Sequence, residues 1–223
     1  MLETYLRTKR NFVLLGESGC GKSETAIFLA RKLVQMTTHK VRLIDMDQTK
    51  GMFRSRDWKA KLQQEQIQVY CGEHFMDMPL VPHGMARKLE EADAVNVLDV
   101  GGNETGAVVL GQFQDWTNQS DSVVFYIINP YRNFSGNTED ILHFMHRITT
   151  LAQVEQLHVI SNPNFGHATQ AEDIFAGHAK LEEMLQGSGY DIEALLIPDW
   201  VDANKFVQMR LPVYSIQPMI QFP

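Results

Sequence analysis

The segment GESGCGKSETA, residues 16–26, constrains this chain more than any other feature. Its first eight residues, Gly16–Ser23, are called here the phosphate loop and fit the pattern GxxxxGK[ST]. In that pattern backbone N–H groups cradle phosphates, while the lysine and the hydroxyl reach a terminal phosphate and Mg²⁺. The preceding run Phe12–Leu15 has the character of a buried strand, and apolar residues recur at helical spacing over residues 23–36. Strand, loop and helix in this order predict nucleoside triphosphate binding.

Apolar runs and helical patterns alternate along the rest of the chain, which predicts an α/β fold with a mainly parallel, twisted sheet flanked by helices. The further strands are expected at Val41–Ile44, Ile67–Tyr70, Ala94–Leu98, Ser122–Ile128, Leu157–Ile160 and Ala194–Ile197. The further helices are expected at Pro82–Ala92, Thr138–Ala152 and Gln170–Gln186.

Polar residues follow several of the predicted strands. Asp45 and Asp47 stand two apart at one strand end, and Asp99 precedes two glycines at another. Ligands of parallel α/β sheets bind at the carboxyl ends of the strands. The order phosphate loop, DxD, DxGG therefore predicts carboxylates near Mg²⁺ and a loop that senses the terminal phosphate. Asn162 follows a later strand, where its carboxamide could contact a purine.

Composition limits the classes of function. The 223 residues contain no Pro/Gly/Ser-rich linker, which predicts a single nucleoside-triphosphatase domain over residues 1–223. The net charge of −7 does not support broad nucleic-acid binding. No apolar run reaches the roughly 18 residues typical of a membrane span, and the C-terminus lacks a basic amphipathic helix, so no membrane attachment is expected. With Cys20 inside the phosphate loop and Cys71 as the other cysteine, a reducing, cytoplasmic location is expected.

Three segments resemble the MinD/ParA group of P-loop ATPases, which belongs to the SIMIBI class. IDMDQTKG resembles the group's DxDPQ-type segment, LDVGGNETG its aspartate-plus-glycine switch segment, and LIPDWVDANKFVQMRLPVY the late segment that lines the nucleotide base. The resemblance covers almost the whole chain and implies a P-loop NTPase fold that uses ATP and Mg²⁺.

The resemblance also implies roles for individual residues. Lys22, Asp47 and Asp99 would be catalytic: Lys22 neutralises phosphate, Asp47 positions the attacking water, and Asp99 holds Mg²⁺ through water. The expected Mg²⁺-binding residues are Ser23, Asp45 and Asp99. The expected nucleotide-binding residues are Gly16, Glu17, Ser18, Gly19, Cys20, Gly21, Lys22, Ser23, Glu24, Asn162 and Pro198.

One position departs from the group. Its phosphate loop carries a second lysine directly after the first glycine, reaching across an ATP-sandwiched dimer, whereas this chain has Glu17. Because a carboxylate repels a triphosphate, Glu17 is expected to turn away from the nucleotide. Hydrolysis and dimerisation would then work differently, or turnover would be low.

The base is predicted to be adenine. GTP-specific relatives place an aspartate shortly after the asparagine, where it accepts from guanine, but this chain reads Asn162-Pro163-Asn164-Phe165. The favoured function is a Mg²⁺-dependent ATPase that acts as a nucleotide-dependent switch for a partner protein or in a plasmid- or DNA-associated process. A nucleotide-dependent homodimer belongs to the same expectation.

Three alternatives stay open. Cys71, His74, Asp77 and His83 have spacing compatible with metal binding, as in a metallochaperone-type GTPase. Arg132, His83 and Glu104 could form the polar pocket of a small-molecule kinase or ligase of the dethiobiotin-synthetase type. Glu17 also fits a nucleotide-binding switch that barely hydrolyses.

Overall fold

The computed structural model of the chain describes residues 2–47, 58–71, 85–132 and 136–219. Within these residues strands and helices alternate. The strands are β1 (Asn11–Gly16), β2 (Lys40–Asp45), β3 (Ile67–Cys71), β4 (Ala94–Asp99), β5 (Ser122–Ile128), β6 (His158–Ser161), β7 (Ile192–Pro198) and β8 (Val213–Ile216). The α-helices are α1 (Leu2–Thr8), α2 (Lys22–Met36), α3 (Lys59–Gln64), α4 (Met85–Leu89), α5 (Glu104–Gly111), α6 (Gln114–Thr117), α7 (Thr138–Ala152) and α8 (Ala171–Leu185). A 3-10 helix spans Ala203–Phe206.

The strands form one sheet in the order β3-β2-β4-β1-β5-β6-β7-β8, and every pairing is parallel. This confirms the predicted fold class. The chain leaves β1 for one half of the sheet, returns to pair β4 with β1, and then builds the other half from β5 onward. Such a reversal opens a crevice at the carboxyl ends of the central strands. The phosphate loop follows β1 and therefore lies at that crevice.

The central strand β1 is buried on both sides. Phe12 and Leu14 pack into one apolar cluster together with residues of α1 and α2, and Val13 and Leu15 pack into a second with residues of α5 and α7. Helices on both faces explain why the strand reads as a continuous apolar run rather than an alternating one. The carboxyl edge is then the place where polar side chains can meet.

The elements that were predicted agree closely with the structure, with one exception. The predicted helix Pro82–Ala92 begins outside the described residues, and α4 ends at Leu89, earlier than predicted. The reason is Arg42 on β2, which donates to the Lys88 carbonyl at 2.7 Å and pairs with the Glu91 carboxylate, so that the chain turns toward β4. The elements that were not predicted are β8, the short helices α1, α3, α5 and α6, and the 3-10 helix.

None of the helices in the described ranges combines the length and the apolar character that crossing a bilayer requires.

A buried polar ladder joins three strands at the amino edge of the sheet. Asn96 Nδ2 donates to Asn11 Oδ1 at 3.0 Å, and Asn11 Nδ2 donates to Ser122 Oγ at 3.3 Å. Asn11 and Asn96 are 3% and 0% exposed, so neither amide can turn to water. Each hydrogen bond therefore satisfies a group that would otherwise be buried unpaired.

Removing the middle of this ladder should destabilise the protein. Asn11→Ala leaves the Asn96 amide without its acceptor, and we expect a loss of about 2 kcal/mol in the free energy of unfolding. Urea denaturation of the wild-type and variant proteins measures this free energy. The exposed Gln119→Ala on the loop before β5 is the control and should change stability by less than about 0.5 kcal/mol. Equal stabilities of the two variants would show that the ladder contributes nothing.

Candidate functional site

The phosphate loop folds as a tight turn that ends at the N-terminus of α2. Three of its glycines have positive φ, with values of 138° at Gly16, 75° at Gly19 and 100° at Gly21. Other residues rarely adopt such angles. Because α2 begins at Lys22, its first backbone N–H groups and the positive end of its dipole face the loop. This arrangement is suited to an anion.

The phosphate loop packs closely against β5 and against the residue that follows β6. A Cβ at Gly16 would lie 2.3 Å from the Ile127 carbonyl of β5, and a Cβ at Gly21 would lie 2.3 Å from Asn162 Nδ2. The same amide nitrogen donates to the Cys20 carbonyl at 2.8 Å. Asn162 therefore braces the loop from the carboxyl end of β6, while its Oδ1 is buried without a hydrogen bond. Its predicted contact with the base stays a prediction.

Two side chains of the loop point into the protein. Cys20 is 1% exposed, and burial raises the pKa of its thiol. Glu17 is 9% exposed and lines a small cavity with Tyr126 of β5 and Met145 of α7. Burial raises the pKa of the Tyr126 hydroxyl, and the charges of Cys20 and Glu17 raise it further. The Glu17 carboxylate thus faces α7, in keeping with the expectation that it turns away from the nucleotide.

Lys22 points back into the loop. Its Nζ donates to the Glu17 carbonyl at 2.8 Å, and the residue is only 6% exposed. A Cβ at Gly102 would lie 2.6 Å from this Nζ and 2.6 Å from the Ser18 backbone nitrogen. The loop and the glycine turn after β4 therefore touch, and the lysine lies between them.

The glycine turn, Gly101–Gly102, packs against the N-terminus of α5. Asn103 caps α5, since its Oδ1 accepts from the Gly106 N–H at 3.0 Å. A Cβ at Gly106 would lie 2.5 Å from the Gly101 carbonyl, so α5 packs directly against the turn. A shift at Gly101 or Gly102 must therefore be transmitted to α5.

The predicted aspartates meet beside the loop. Asp45 and Asp99 are register partners on β2 and β4, and each is 1% exposed. The Asp47 N–H donates to Asp45 Oδ1 at 3.0 Å. A Cβ at Gly101 would lie 3.1 Å from Asp47 Oδ1, which places this carboxylate at the glycine turn. The residues predicted from two separate strand ends thus form one group.

Asp99 is the electrostatic centre of this group. Burial raises its pKa from 3.8 to about 7, the negative charges of Asp45 and Asp47 act in the same direction, and Ser23 and Lys22 oppose the rise. Both carboxylate oxygens are buried and neither makes a hydrogen bond of normal geometry, although the Ser23 hydroxyl lies close enough to lower the pKa.

These donors fit Mg²⁺. A hydroxyl and buried carboxylates are hard oxygen ligands, and Mg²⁺ is commonly bound through one or two protein groups together with substrate phosphates and water. In the described part of the chain, no three His, Cys, Asp or Glu side chains are arranged as a metal cage. Ser23 and Asp99 would therefore hold a magnesium ion that the nucleotide phosphates help to bind.

Two predicted nucleotide contacts lie at the margin of the site. Glu24 Oε1 accepts from the Met219 N–H at 3.1 Å, so this side chain binds the C-terminal segment. Pro198 is buried at the carboxyl end of β7, where it pairs with Ile216. Their contacts with a nucleotide stay predictions.

The residues of the alternative functions do not assemble among the described positions. Cys71 ends β3 as a free cysteine, whereas His74, Asp77 and His83 lie outside the described residues. Glu104 is paired with Arg147 of α7 at 2.8 Å.

Arg132, which is among the described residues, reaches the phosphate loop. Its Nε donates to the Gly19 carbonyl at 2.8 Å. The sequence signal was an arginine in NPYR directly after a strand, but the strand order needed to bring it to the loop was not visible in the sequence.

The chain matches no protein-family model and no curated protein. Among solved structures, one crystal form of FtsY from Mycoplasma mycoides superimposes with a TM-score of 0.56 at 14% identity, over 83% of this chain and 59% of FtsY. The chain has the P-loop NTPase fold. At this identity the P-loop NTPase likeness shows the fold alone.

Two further solved structures have lower TM-scores. FlhF complexed with GMPPNP and Mg²⁺ gives 0.44 at 18% identity, over 70% of this chain and 56% of FlhF. The signal recognition particle 54 kDa protein from Aeropyrum pernix in complex with GDP gives 0.38 at 15% identity, over 88% of this chain and 36% of that one. This P-loop NTPase chain spans less than two thirds of each of the three.

The raised pKa of Asp99 makes the stability of the nucleotide-free protein depend on pH. The folded carboxyl binds its proton more tightly than the unfolded one, so stability falls as pH rises from about 4 to about 7. Asp99→Asn removes this dependence. As pH rises from about 4 to about 7, the free energy of unfolding of the variant should therefore increase relative to that of wild type by at most about 4 kcal/mol.

Urea denaturation at several pH values in the presence of a chelator tests this prediction. Asp115→Asn, which neutralises an exposed carboxylate on α6, is the control and should follow the wild-type pH profile. An Asp99→Asn profile parallel to wild type would mean that Asp99 titrates normally.

Proposed function

We propose that this chain is a Mg²⁺-dependent nucleoside triphosphatase that uses ATP and changes its surface with the state of the nucleotide. The observation that carries the proposal is the meeting of Lys22, Ser23 and the buried Asp99 at an anion-binding helix N-terminus. A Mg²⁺-triphosphate would supply an anion to Lys22 and a cation to Asp99, and the Ser23 hydroxyl is a suitable Mg²⁺ ligand.

The phosphate loop would bind the phosphates through its backbone. The N–H groups at the start of α2 donate to phosphate oxygens, and the Lys22 ammonium exchanges the Glu17 carbonyl for the β- and γ-phosphates. The lysine needs no large movement, because its Nζ already lies between the loop and Gly102. A bound Mg²⁺ would neutralise charge that develops on the phosphates.

Asp47 would orient the attacking water. Its backbone N–H donates to Asp45, and its carboxylate lies at Gly101, next to the Gly102 that Lys22 approaches. Phosphoryl transfer to water depends mainly on positioning and charge stabilisation. A carboxylate that accepts a hydrogen bond from water beside the terminal phosphate supplies the positioning.

ATP is favoured over GTP on the residues after β6. Guanine is recognised by a carboxylate that accepts from its N1–H and amino group. The residues after Asn162 are Pro163, Asn164 and Phe165, and Asn164 Oδ1 accepts from the Gly166 N–H at 2.7 Å and from Thr169 Oγ1 at 3.2 Å. Asn164 therefore offers guanine no carboxylate.

The Gly101–Gly102 turn would report the nucleotide state. It touches the loop at Ser18 and supports α5 through Gly106, so a terminal phosphate that displaces it must also move α5. We propose that a partner protein reads this change in the cytoplasm, where Cys20 and Cys71 remain free thiols. The nucleotide-dependent homodimer implied by the resemblance stays a prediction.

Lys22→Ala should abolish tight nucleotide binding, because the loop then faces a triphosphate without its buried cation. We expect at least about a 100-fold loss of affinity for Mg²⁺-ATP, roughly the energy of a charge-assisted contact in a partly desolvated site. Isothermal titration of the wild-type and variant proteins with ATP and with GTP measures the change and the base preference together.

The control is Lys32→Ala, which removes an exposed lysine from the same helix and should bind as wild type does. Unchanged affinity in Lys22→Ala would refute the proposed site. Tighter wild-type binding of GTP than of ATP would keep the site and correct the base.

A further inference from the structure

Arg132 makes an unusually close approach to the phosphate loop. Besides the bond from Nε to the Gly19 carbonyl, its guanidinium lies so near that a Cβ at Gly19 would be 3.2 Å from Cζ and 3.3 Å from Nε. A glycine is favoured at this position for two reasons: its φ is 75°, and a side chain would leave no space for the arginine. The guanidinium lies over the tip of the loop.

The segment that carries Arg132 is built rigidly. Asn129 is 2% exposed, and its Oδ1 accepts from the Tyr131 N–H at 3.1 Å, while its backbone carbonyl accepts from the Arg132 N–H at 3.1 Å. Asn129 Nδ2 also donates to the Asn164 carbonyl in the loop after β6. Arg132 is thus an exposed side chain on a braced turn, with part of its ordering cost already met by the fold.

A second anchor ties this turn to α8. The Tyr131 hydroxyl donates to the Asp173 carbonyl at 2.5 Å. Gly177 of α8 lies so close that a Cβ there would be 3.0 Å from the Tyr131 ring and 2.6 Å from Pro163. The turn therefore cannot move away from the loop without disturbing α8.

The positive charge of Arg132 acts on Cys20 inside the loop. Burial raises the pKa of the Cys20 thiol, and the positive charges of Lys22 and Arg132 both oppose that rise. The residue at the second loop position is the carboxylate of Glu17, which faces α7 and brings no positive charge. Arg132, which follows β5, therefore adds a cation at the loop tip. Lys22 is a separate cation at the start of α2.

We propose that Arg132 contacts the phosphates of the bound nucleotide and stabilises the charge that develops during hydrolysis. The proposal rests on the proposed function. The water oxygen bonds to the γ-phosphorus, the bond to the bridging oxygen breaks, that oxygen keeps the electron pair, and the water proton passes to the released phosphate. A planar guanidinium at the loop tip can donate to oxygens of the transferring γ-phosphoryl group, a contact that the diphosphate complex lacks.

Arg132→Ala and Arg132→Lys test the proposal, with Arg7→Ala, an exposed arginine on α1, as the matched control. The measurements are kcat and KM for Mg²⁺-ATP, the Kd values for the diphosphate and for a non-hydrolysable triphosphate, and the melting temperature. We expect Arg132→Ala to lower kcat about 100-fold and to change diphosphate affinity less than about threefold, at an unchanged melting temperature.

Arg132→Lys should recover part of kcat, because it restores the charge but not the planar fork. Should wild type bind nucleotide without turnover, the readout becomes the ratio of triphosphate to diphosphate affinity, which Arg132→Ala should lower about tenfold. A variant with wild-type kcat and ratio would overturn the proposal, as would equal losses for both nucleotides with a lower melting temperature. Absence of nucleotide binding in wild type would instead refute the proposed function.

Discussion

The burial of Asp99 against Asp45 is the constraint on which the candidate site depends. Parallel pairing of β2 and β4 sets the two carboxylates side by side, and helices on both faces of the sheet keep water away. Like charges in such a position are unfavourable unless a cation lies between or beside them. Lys22 supplies positive charge beside Asp99, and under the proposed function a divalent ion bound with the nucleotide would add to it.

The remaining groups are arranged around that pair. The phosphate loop is braced by Asn162 from one side and touched by Arg132 at its tip, and the glycine turn closes on it from the other side. These contacts come from three different strand ends, all at the carboxyl edge. Nucleotide binding at this edge would therefore act on α5 through the glycine turn and on α8 through Tyr131. The positions of both α5 and α8 could therefore depend on nucleotide binding.

Much of this architecture was readable in the sequence. The phosphate loop carries its own signature, and α7 was predicted at its observed bounds, where the structure shows Asn137 capping an amphipathic segment. The aspartates were predicted because each follows an apolar strand. The early end of α4 depends on Arg42 of another strand, and β8 is a short edge strand whose identity comes from pairing with β7. The Arg132 contact depends on strand order. These features arise from tertiary contacts, which local patterns do not encode.

Release of phosphate from Mg²⁺-ATP by wild type and Asp47→Ala tests the central claim most directly, because Asp47 is the carboxylate that the account assigns to the water. We predict turnover by wild type and a loss of about 100-fold or more in Asp47→Ala, with nucleotide affinity unchanged. Turnover at the wild-type rate in Asp47→Ala, or none in a wild type that binds ATP tightly, would contradict the account.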